Sequence, residues 1–324
     1  MAYTLFGKTE IASYTDVAAL FCVVQEDSEA SVFWKYQLYG NLCWEYKTNT
    51  LYHCGKYDHL SYVEFENEDR ITLVKLPKNI TCNELKKYFD KGFFVLLPIN
   101  TRILGYTNAS YIHNVFVTGY QENEFIVYDF WTPSFTWKYE RIDCKILFES
   151  VDFTNNETVQ MIYAFKYNDE ACQKYNDKPN LRDLNVLYTK IWDCNFNKYY
   201  NNYRNAYGYE AYRAMCEHIK SIDIPTLTDS QNIHIILDHL QFTKKSLNEL
   251  IGERQIILEL NAKFEELIDH TIRIRAAFYK YYISKRDIGK IRDVLIEEVN
   301  NIAETEKMLL GRIIEMCGEG NAVR

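Results

Sequence analysis

Residues 92–131 read GFFVLLPINTRILGYTNASYIHNVFVTGYQENEFIVYDFW, and the fold turns on how this run divides. Three apolar strands can be drawn in it: Phe93–Ile99, His113–Tyr120 and Glu124–Phe130. Gly119-Tyr120-Gln121-Glu122-Asn123 supplies the turn between the last two. In an antiparallel hairpin the far ends of the two strands lie side by side. His113 stands at the start of one strand and Asp129 at the end of the other. The hairpin therefore brings an imidazole next to a carboxylate across sixteen positions. A carboxylate on one ring nitrogen orients a histidine as a general base. The plainer alternative is a histidine at a strand end and an aspartate in a turn, neither doing chemistry.

Upstream of this run, Thr81 precedes CNELKKYFDKG with Glu84 three residues on. That is a capping box, and Gly92 ends the helix it starts. Residues 50–80 read as strands, with LSYVEFE alternating apolar and polar and ITLVKL following. Downstream, FTWKYERI, KILFESVDF and VQMIYAFKY read as further strands. Residues 60–167 thus read as one mostly antiparallel sheet with a helix before its centre. Nearer the start, VAALFCVVQ is apolar, Asp16 is placed to cap a helix from Val17, and Cys22 falls inside it. VFWKYQLYGNLCWEYK puts Val32, Phe33, Tyr36, Tyr39 and Cys43 near helical spacing, with Gly40 weakening the pattern.

The character changes at Tyr167. The polar stretch NDEACQKYNDKPNL contains Pro179 and marks a boundary. From Arg182 the pattern is helical almost throughout. Leu184, Leu187, Tyr188 and Ile191 share one face, and Tyr209, Tyr212 and Cys216 another. Ile222–Leu227 is a break, and Ile233, Ile236, Leu237 and Leu240 begin the next helix. Ile257, Leu260, Phe264, Leu267 and Ile268 follow at near-heptad spacing, and a final helix runs from about Asp287 to Met316. Such amphipathic helices pack as a bundle or a helical hairpin. The expected organisation is a domain over 1–167, a linker over 168–181 and a helical domain over 182–324.

Of 324 residues, 47% are hydrophobic, enough to bury a sizeable core. Acidic residues outnumber basic ones, 45 to 37, for a net charge of −8. That argues against a general nucleic-acid grip, which needs clustered Lys and Arg. The nine cysteines are irregularly spaced with no Cys-x-x-Cys pair, so a secreted disulfide framework is not expected. Residues 1–15 have no basic start followed by an apolar run, and no window is apolar enough to span a bilayer. The expectation is a cytoplasmic, reduced protein with no membrane association.

Several residues that suggest chemistry weaken on inspection. His53-Cys54 with His59 lacks a fourth ligand at metal-site spacing, so these read as loop residues. His234 and His239 are five apart and do not face one point on a helix. Asp238 and Asp269 read as residues of solvated helix faces. Neither GxGxxG nor GxxxxGK[ST] occurs.

The run from Lys91-Gly92 to Trp131 resembles the second half of the papain-like domain of C39-type cysteine peptidases. It is closer still to the N-terminal domain of the butirosin biosynthesis protein H type. YIHNVFVTGY is similar to the strand that carries the family's histidine, and IVYDFW to the strand that carries its aspartate. The resemblance extends over about residues 10–167, and loosely over NAYGYEAYRAM. It implies an α+β papain-like cysteine-protease fold, N-terminal helices plus an antiparallel sheet, followed by an all-helical domain. It also implies a nucleophile on an N-terminal helix, by position Cys22, completing a triad with His113 and Asp129.

Such a triad needs a thiol activated by an imidazole and donors for the oxyanion. The implied activity is an acyl transfer that forms an amide from a carrier-protein thioester and an amine in thiotemplated natural-product biosynthesis. A synthase like that of closthioamide biosynthesis is one concrete version. The implied partners are an acyl or peptidyl carrier protein and a small amine acceptor. No cofactor is held by this chain, because phosphopantetheine arrives on the carrier.

This sequence departs from the peptidase pattern, whose Gln before an Asp-Cys-Gly run is missing. Cys22 stands in the apolar Leu-Phe-Cys-Val-Val, where desolvation disfavours a thiolate. Gln25 precedes Ser31 by the spacing of an oxyanion glutamine and a nucleophile, so Ser31 is a second candidate and Ser28 a third. A cysteine peptidase or amidase would use the same residues with water as acceptor, and a binding protein could keep the fold without any nucleophile. Arg273, Arg275, Lys280, Lys285, Arg286, Lys290 and Arg292 could form a basic patch for an acidic carrier, or an ordinary solvated face.

Overall fold

The computed structural model describes residues 2–4, 18–19, 22–24, 29–54, 71–105, 110, 112–129, 137–152, 162–168, 180–192, 205–251 and 255–319. The chain is α+β, with antiparallel sheets and a helical C-terminal part. It divides into two compact units, Met1–Gln25 with Ser61–Tyr175 and Glu26–Leu60 with Asn176–Arg324. This division falls within the expected linker at its C-terminal break. It differs from the expected domains in one segment: residues 26–60 go with the second unit.

The first unit is built on a seven-stranded antiparallel sheet. Its strands are β1 (Ala2–Tyr3), β4 (Ile71–Leu76), β5 (Phe94–Asn100), β6 (Ile112–Gln121), β7 (Glu124–Asp129), β8 (Lys138–Asp143) and β9 (Ile162–Tyr167). The order is β4-β9-β5-β6-β7-β8, with β1 pairing with the end of β6. The expected three-strand core is therefore present, shifted by a residue at most of its ends. The β6–β7 turn narrows to Glu122 and Asn123, and Gln121 pairs with Glu124. LSYVEFE lies outside the described residues.

Strand alternation sorts the side chains by face. Val95, Leu97 and Ile99 of β5, Val115 and Val117 of β6, and Phe125 and Val127 of β7 share one buried cluster. Leu85 and Phe89 of α2 (Cys82–Phe89) and Leu147 of α3 (Cys144–Ser150) join it. The opposite face carries Phe94, Phe116 and Phe165, with the Phe116 and Phe165 rings stacked at 5.8 Å. A sheet buried on both faces reads as continuous apolar runs, which is why VFVTGY and FIVYDF look alike in sequence.

Helix α2 starts as the capping box predicts. Glu84 N–H donates to Thr81 Oγ1 at 3.3 Å, and Thr81 N–H donates back to Glu84 Oε2 at 2.8 Å. Gly92 follows the helix with φ +77°, a backbone conformation that glycine adopts without steric cost. The segment KILFESVDF is a correction: residues 144–150 form a helix, not a strand. Asp143 decides it, its Oδ1 accepting from Lys145 N–H at 2.9 Å and Ile146 N–H at 3.2 Å. Cys144, Leu147 and Ser150 then share the buried face at helical spacing.

The second unit contains α1 (Glu29–Tyr39), β2 (Asn41–Glu45), β3 (Thr50–Cys54), α4 (Leu181–Trp192), β10 (Asn205–Tyr207), α5 (Tyr209–Ser221), α6 (Leu227–Ile251), α7 (Gln255–Ser284) and α8 (Arg292–Glu319). The near-heptad residues Ile257, Leu260, Phe264, Leu267 and Ile268 are all buried. Helix α1 ends earlier than its spacing predicts, and Cys43 sits in β2 rather than on the helix. Gly40 is the reason. A Cβ there would stand 2.5 Å from Tyr36 O, so the chain turns in a space only glycine fits.

Residues 41–54 belong to this unit through pairing and buried hydrogen bonds. Tyr207 of β10 pairs with Cys43 of β2. Leu51 N–H donates to Asn232 Oδ1 at 2.9 Å, and the Tyr36 and Thr243 hydroxyls meet at 3.1 Å. Among the described residues no helix is long and apolar enough to cross a membrane.

Candidate functional site

The pairing of β6 and β7 fixes where His113 and Asp129 point. Val117 pairs with Val127 and Phe116 with Tyr128. By alternation His113 shares the face of Val115 and Val117, and Asp129 that of Phe125 and Val127. The two polar residues therefore extend one apolar face at its open end. His113 Nε2 lies 2.8 Å from Asp129 Oδ2. The carboxylate is buried, while the imidazole keeps 16% of its side-chain surface exposed. Ile99, wholly buried, pairs with His113 from β5 and backs it with an apolar neighbour. A buried carboxylate facing an imidazole makes a charge-assisted bond that fixes the ring's orientation and tautomer.

Cys22 belongs to the same compact unit as His113 and Asp129. It is helical, as its position after Asp16 predicts. Its neighbours Ala18, Ala19, Val23 and Val24 are buried, yet Cys22 itself is only half-buried. The described neighbours of Cys22 thus form an apolar setting, and Leu20 and Phe21 lie outside the described residues. Ser31 lies in α1 and belongs to the second unit, not to the unit that holds His113. Ser28 and Gln25 lie outside the described residues.

The other flagged residues resolve differently. His53 is not a loop residue: it is 1% exposed in β3, and His59 lies outside the described residues. Asp238 is a second correction, 2% exposed rather than solvated, whereas Asp269 is exposed as expected. Among the described residues no group of three or more His, Cys, Asp or Glu side chains could hold a metal ion.

Among the described residues the second unit holds four imidazole–carboxylate contacts that the sequence reading does not single out: His239–Glu306, His218–Asp229, His270–Glu298 and a longer one, His234 Nε2 to Asp238 Oδ1 at 3.9 Å. His239 Nε2 meets Glu306 Oε1 at 2.5 Å, and Tyr212 Oη donates to Glu306 Oε2 at 2.7 Å. His218 Nε2 meets Asp229 Oδ1 at 2.7 Å, and Asp229 also accepts from Thr226 N–H at 2.6 Å and Thr226 Oγ1 at 2.7 Å. The Thr226-x-x-Asp229 spacing is a local cap signal that the sequence reading passes over, taking Ile222–Leu227 only as a break. The His239–Glu306 contact joins two helices 67 positions apart and has no local signal. Burial acts against the Asp229 carboxylate, but the His218 and Thr226 bonds outweigh it and hold its pKa below the usual range.

No protein-family model matches this chain, and a search of curated proteins finds no match. The resemblance to the papain-like domain therefore rests on the residues quoted for it.

Proposed function

We propose that this protein is a cysteine-dependent acyltransferase on a papain-like fold, acting in the cytoplasm in thiotemplated natural-product biosynthesis. The observation that carries the reading is the 2.8 Å contact between His113 Nε2 and the buried Asp129 carboxylate, on adjacent antiparallel strands. With Nε2 held by Asp129, Nδ1 is the nitrogen that takes the Cys22 proton. The Cys22 thiolate attacks the thioester carbonyl of an acyl group on a carrier protein. The carbon–sulfur bond to the carrier's pantetheine breaks, and its thiol leaves with the proton from His113. An amine then attacks the acyl-cysteine, gives its proton to His113, and leaves as the amide while Cys22 regains its thiol.

A carrier is acidic, so docking needs local positive charge. Of the seven cations considered for this role, Arg292 is engaged internally, donating to Ile222 O at 2.7 Å and Asp223 Oδ1 at 3.0 Å. Arg275 is half-buried, with Asp238 acting on its charge. Arg273, Lys280, Lys285, Arg286 and Lys290 are exposed. These five support a docking face on α7 and the turn after it.

The test is acyl trapping with an acyl-pantetheine thioester in place of the loaded carrier. The expected result is a mass increase equal to the acyl group, mapped to Cys22 and lost in Cys22→Ala. The adduct should form about 100- to 10,000-fold more slowly in His113→Ala, the usual size of general-base catalysis. Discharge by an added amine supports the transferase. Discharge only by water assigns the same triad to a peptidase or amidase. No adduct at Cys22 leaves a papain-fold binding protein and overturns the mechanism.

A further inference from the structure

A second pair of reactive groups lies in the first unit, away from the residues assigned above. Cys82 is the first residue of α2 and Cys144 the first residue of α3, and each directly follows a capping residue, Thr81 and Asp143. The two helices pack on the same sheet face. Cys144 N–H donates to Asn123 O in the β6–β7 turn at 2.8 Å, which pins the start of α3. Cys82 packs against the apolar cluster that contains Cys144. Both line one open pocket of about 570 Å³, together with Asn83, Lys86, Asp143 and Lys145. Cys82 is half-buried and reachable from that pocket, whereas Cys144 is 7% exposed.

Other described cysteines are set differently. Cys43 is wholly buried in β2, and the Cys216 thiol donates to Asn300 Oδ1 at 3.4 Å inside the helical unit. Two cysteines on one open pocket, one accessible and one sheltered, have the arrangement of an attacking and a resolving cysteine.

We propose that Cys82 and Cys144 form a redox-responsive dithiol that closes to a disulfide by exchange with a small disulfide such as oxidised glutathione. The Cys82 thiolate attacks one sulfur of glutathione disulfide, the sulfur–sulfur bond breaks, and one glutathione leaves. Cys144 then loses its proton to solvent base, and its sulfur displaces the second glutathione from Cys82. Two protein thiols are oxidised to one disulfide, one small disulfide is reduced to two thiols, and the two protons end on the glutathiones. Burial, then the neighbouring Cys82 sulfur, pushes the Cys144 thiol up to about 12, with Lys86 opposing and Asp143 adding to the rise. Closure therefore draws on a thiol that is mostly protonated at neutral pH. It should accelerate about tenfold per pH unit between about pH 7 and 9, as the Cys144 thiolate fraction rises.

The test is incubation of the full chain with oxidised glutathione, followed by peptide mapping without reduction. The expected product is a cross-linked pair of peptides containing Cys82 and Cys144. Cys144→Ser should stop at glutathione bound to Cys82, and Cys82→Ser should leave Cys144 unmodified. Phenylarsine oxide is a second probe, since it bridges two close thiols with loss of water. One arsenic per chain, lost in either variant, supports the pair. A wild-type protein that accumulates glutathione on Cys82 without the cross-link, or that reacts only at other cysteines, overturns the proposal.

Discussion

His113 with Asp129 in the sheet unit, and His239 with Glu306 in the helical unit, are both imidazole–carboxylate contacts, at 2.8 Å and 2.5 Å. They differ in what surrounds them. The His113 side chain is 16% exposed, whereas His239 is 3% exposed and Glu306 1%. Glu306 spends its second oxygen on Tyr212, whose hydroxyl burial and the nearby Glu306 charge hold far above its usual pKa. The helical pair is thus closed on itself and ties α5, α6 and α8 together. The sheet pair lies at a strand end, where part of the His113 side chain stays exposed. Distance alone does not separate the two pairs; exposure does.

The comparison breaks most directly under truncation. His239→Ala should cost about 3–5 kcal/mol of stability, because Glu306 stays buried and loses its partner. His113→Ala should cost less, about 1–3 kcal/mol, while slowing the proposed acyl transfer about 100- to 10,000-fold. Denaturant midpoints of the two variants measure this. Equal losses would erase the distinction between a structural and a functional pair. Replacing His239 and Glu306 together with apolar residues of similar volume should recover most of the loss.

A pH titration sharpens the helical side. The ring nitrogens of half-buried His234 are themselves buried and make no hydrogen bond, the Asp238 carboxylate standing 3.9 Å from Nε2. Burial holds its pKa below the ordinary 6.5, with Asp238 acting to raise it and Arg275 to lower it. As pH falls below about 6.5 the unfolded chain takes up a proton that the folded chain refuses. Stability should therefore fall with acid, by at most about 1.4 kcal/mol per pH unit for this one proton, and level off below the depressed folded value. His234→Leu should flatten that part of the curve; an unchanged slope would assign it to other groups. The smallest effect is expected on the sheet side, where Thr81→Ala removes a helix cap and should cost about 1 kcal/mol by denaturant unfolding.

Much of the sheet unit was legible because its signals are local. The hairpin was written in apolar runs on either side of a short turn, and the start of α2 in Thr81 and Glu84. Register within that hairpin is what brings His113 to Asp129. Helix α3 was not legible from hydrophobicity, since KILFES suits a strand or a short helix. The deciding cap, Asp143, acts through backbone N–H groups rather than through pattern. The membership of residues 26–60 was hidden for a different reason. It depends on partners such as Asn232, Thr243 and Tyr207, about 160 to 210 positions away, which no local window sees. Asp238 was misread for the same reason, because a charged residue is buried only where the fold neutralises it.

The central claim is that His113 and Asp129 serve a thiol at Cys22, and alkylation tests it most directly. Iodoacetamide at neutral pH, with peptide mapping over time, reports the thiolate at each cysteine separately. Rapid modification of Cys22 relative to the other cysteines, slowed in His113→Ala, is the predicted result. A Cys22 that labels no faster than the rest, with or without His113, would contradict it.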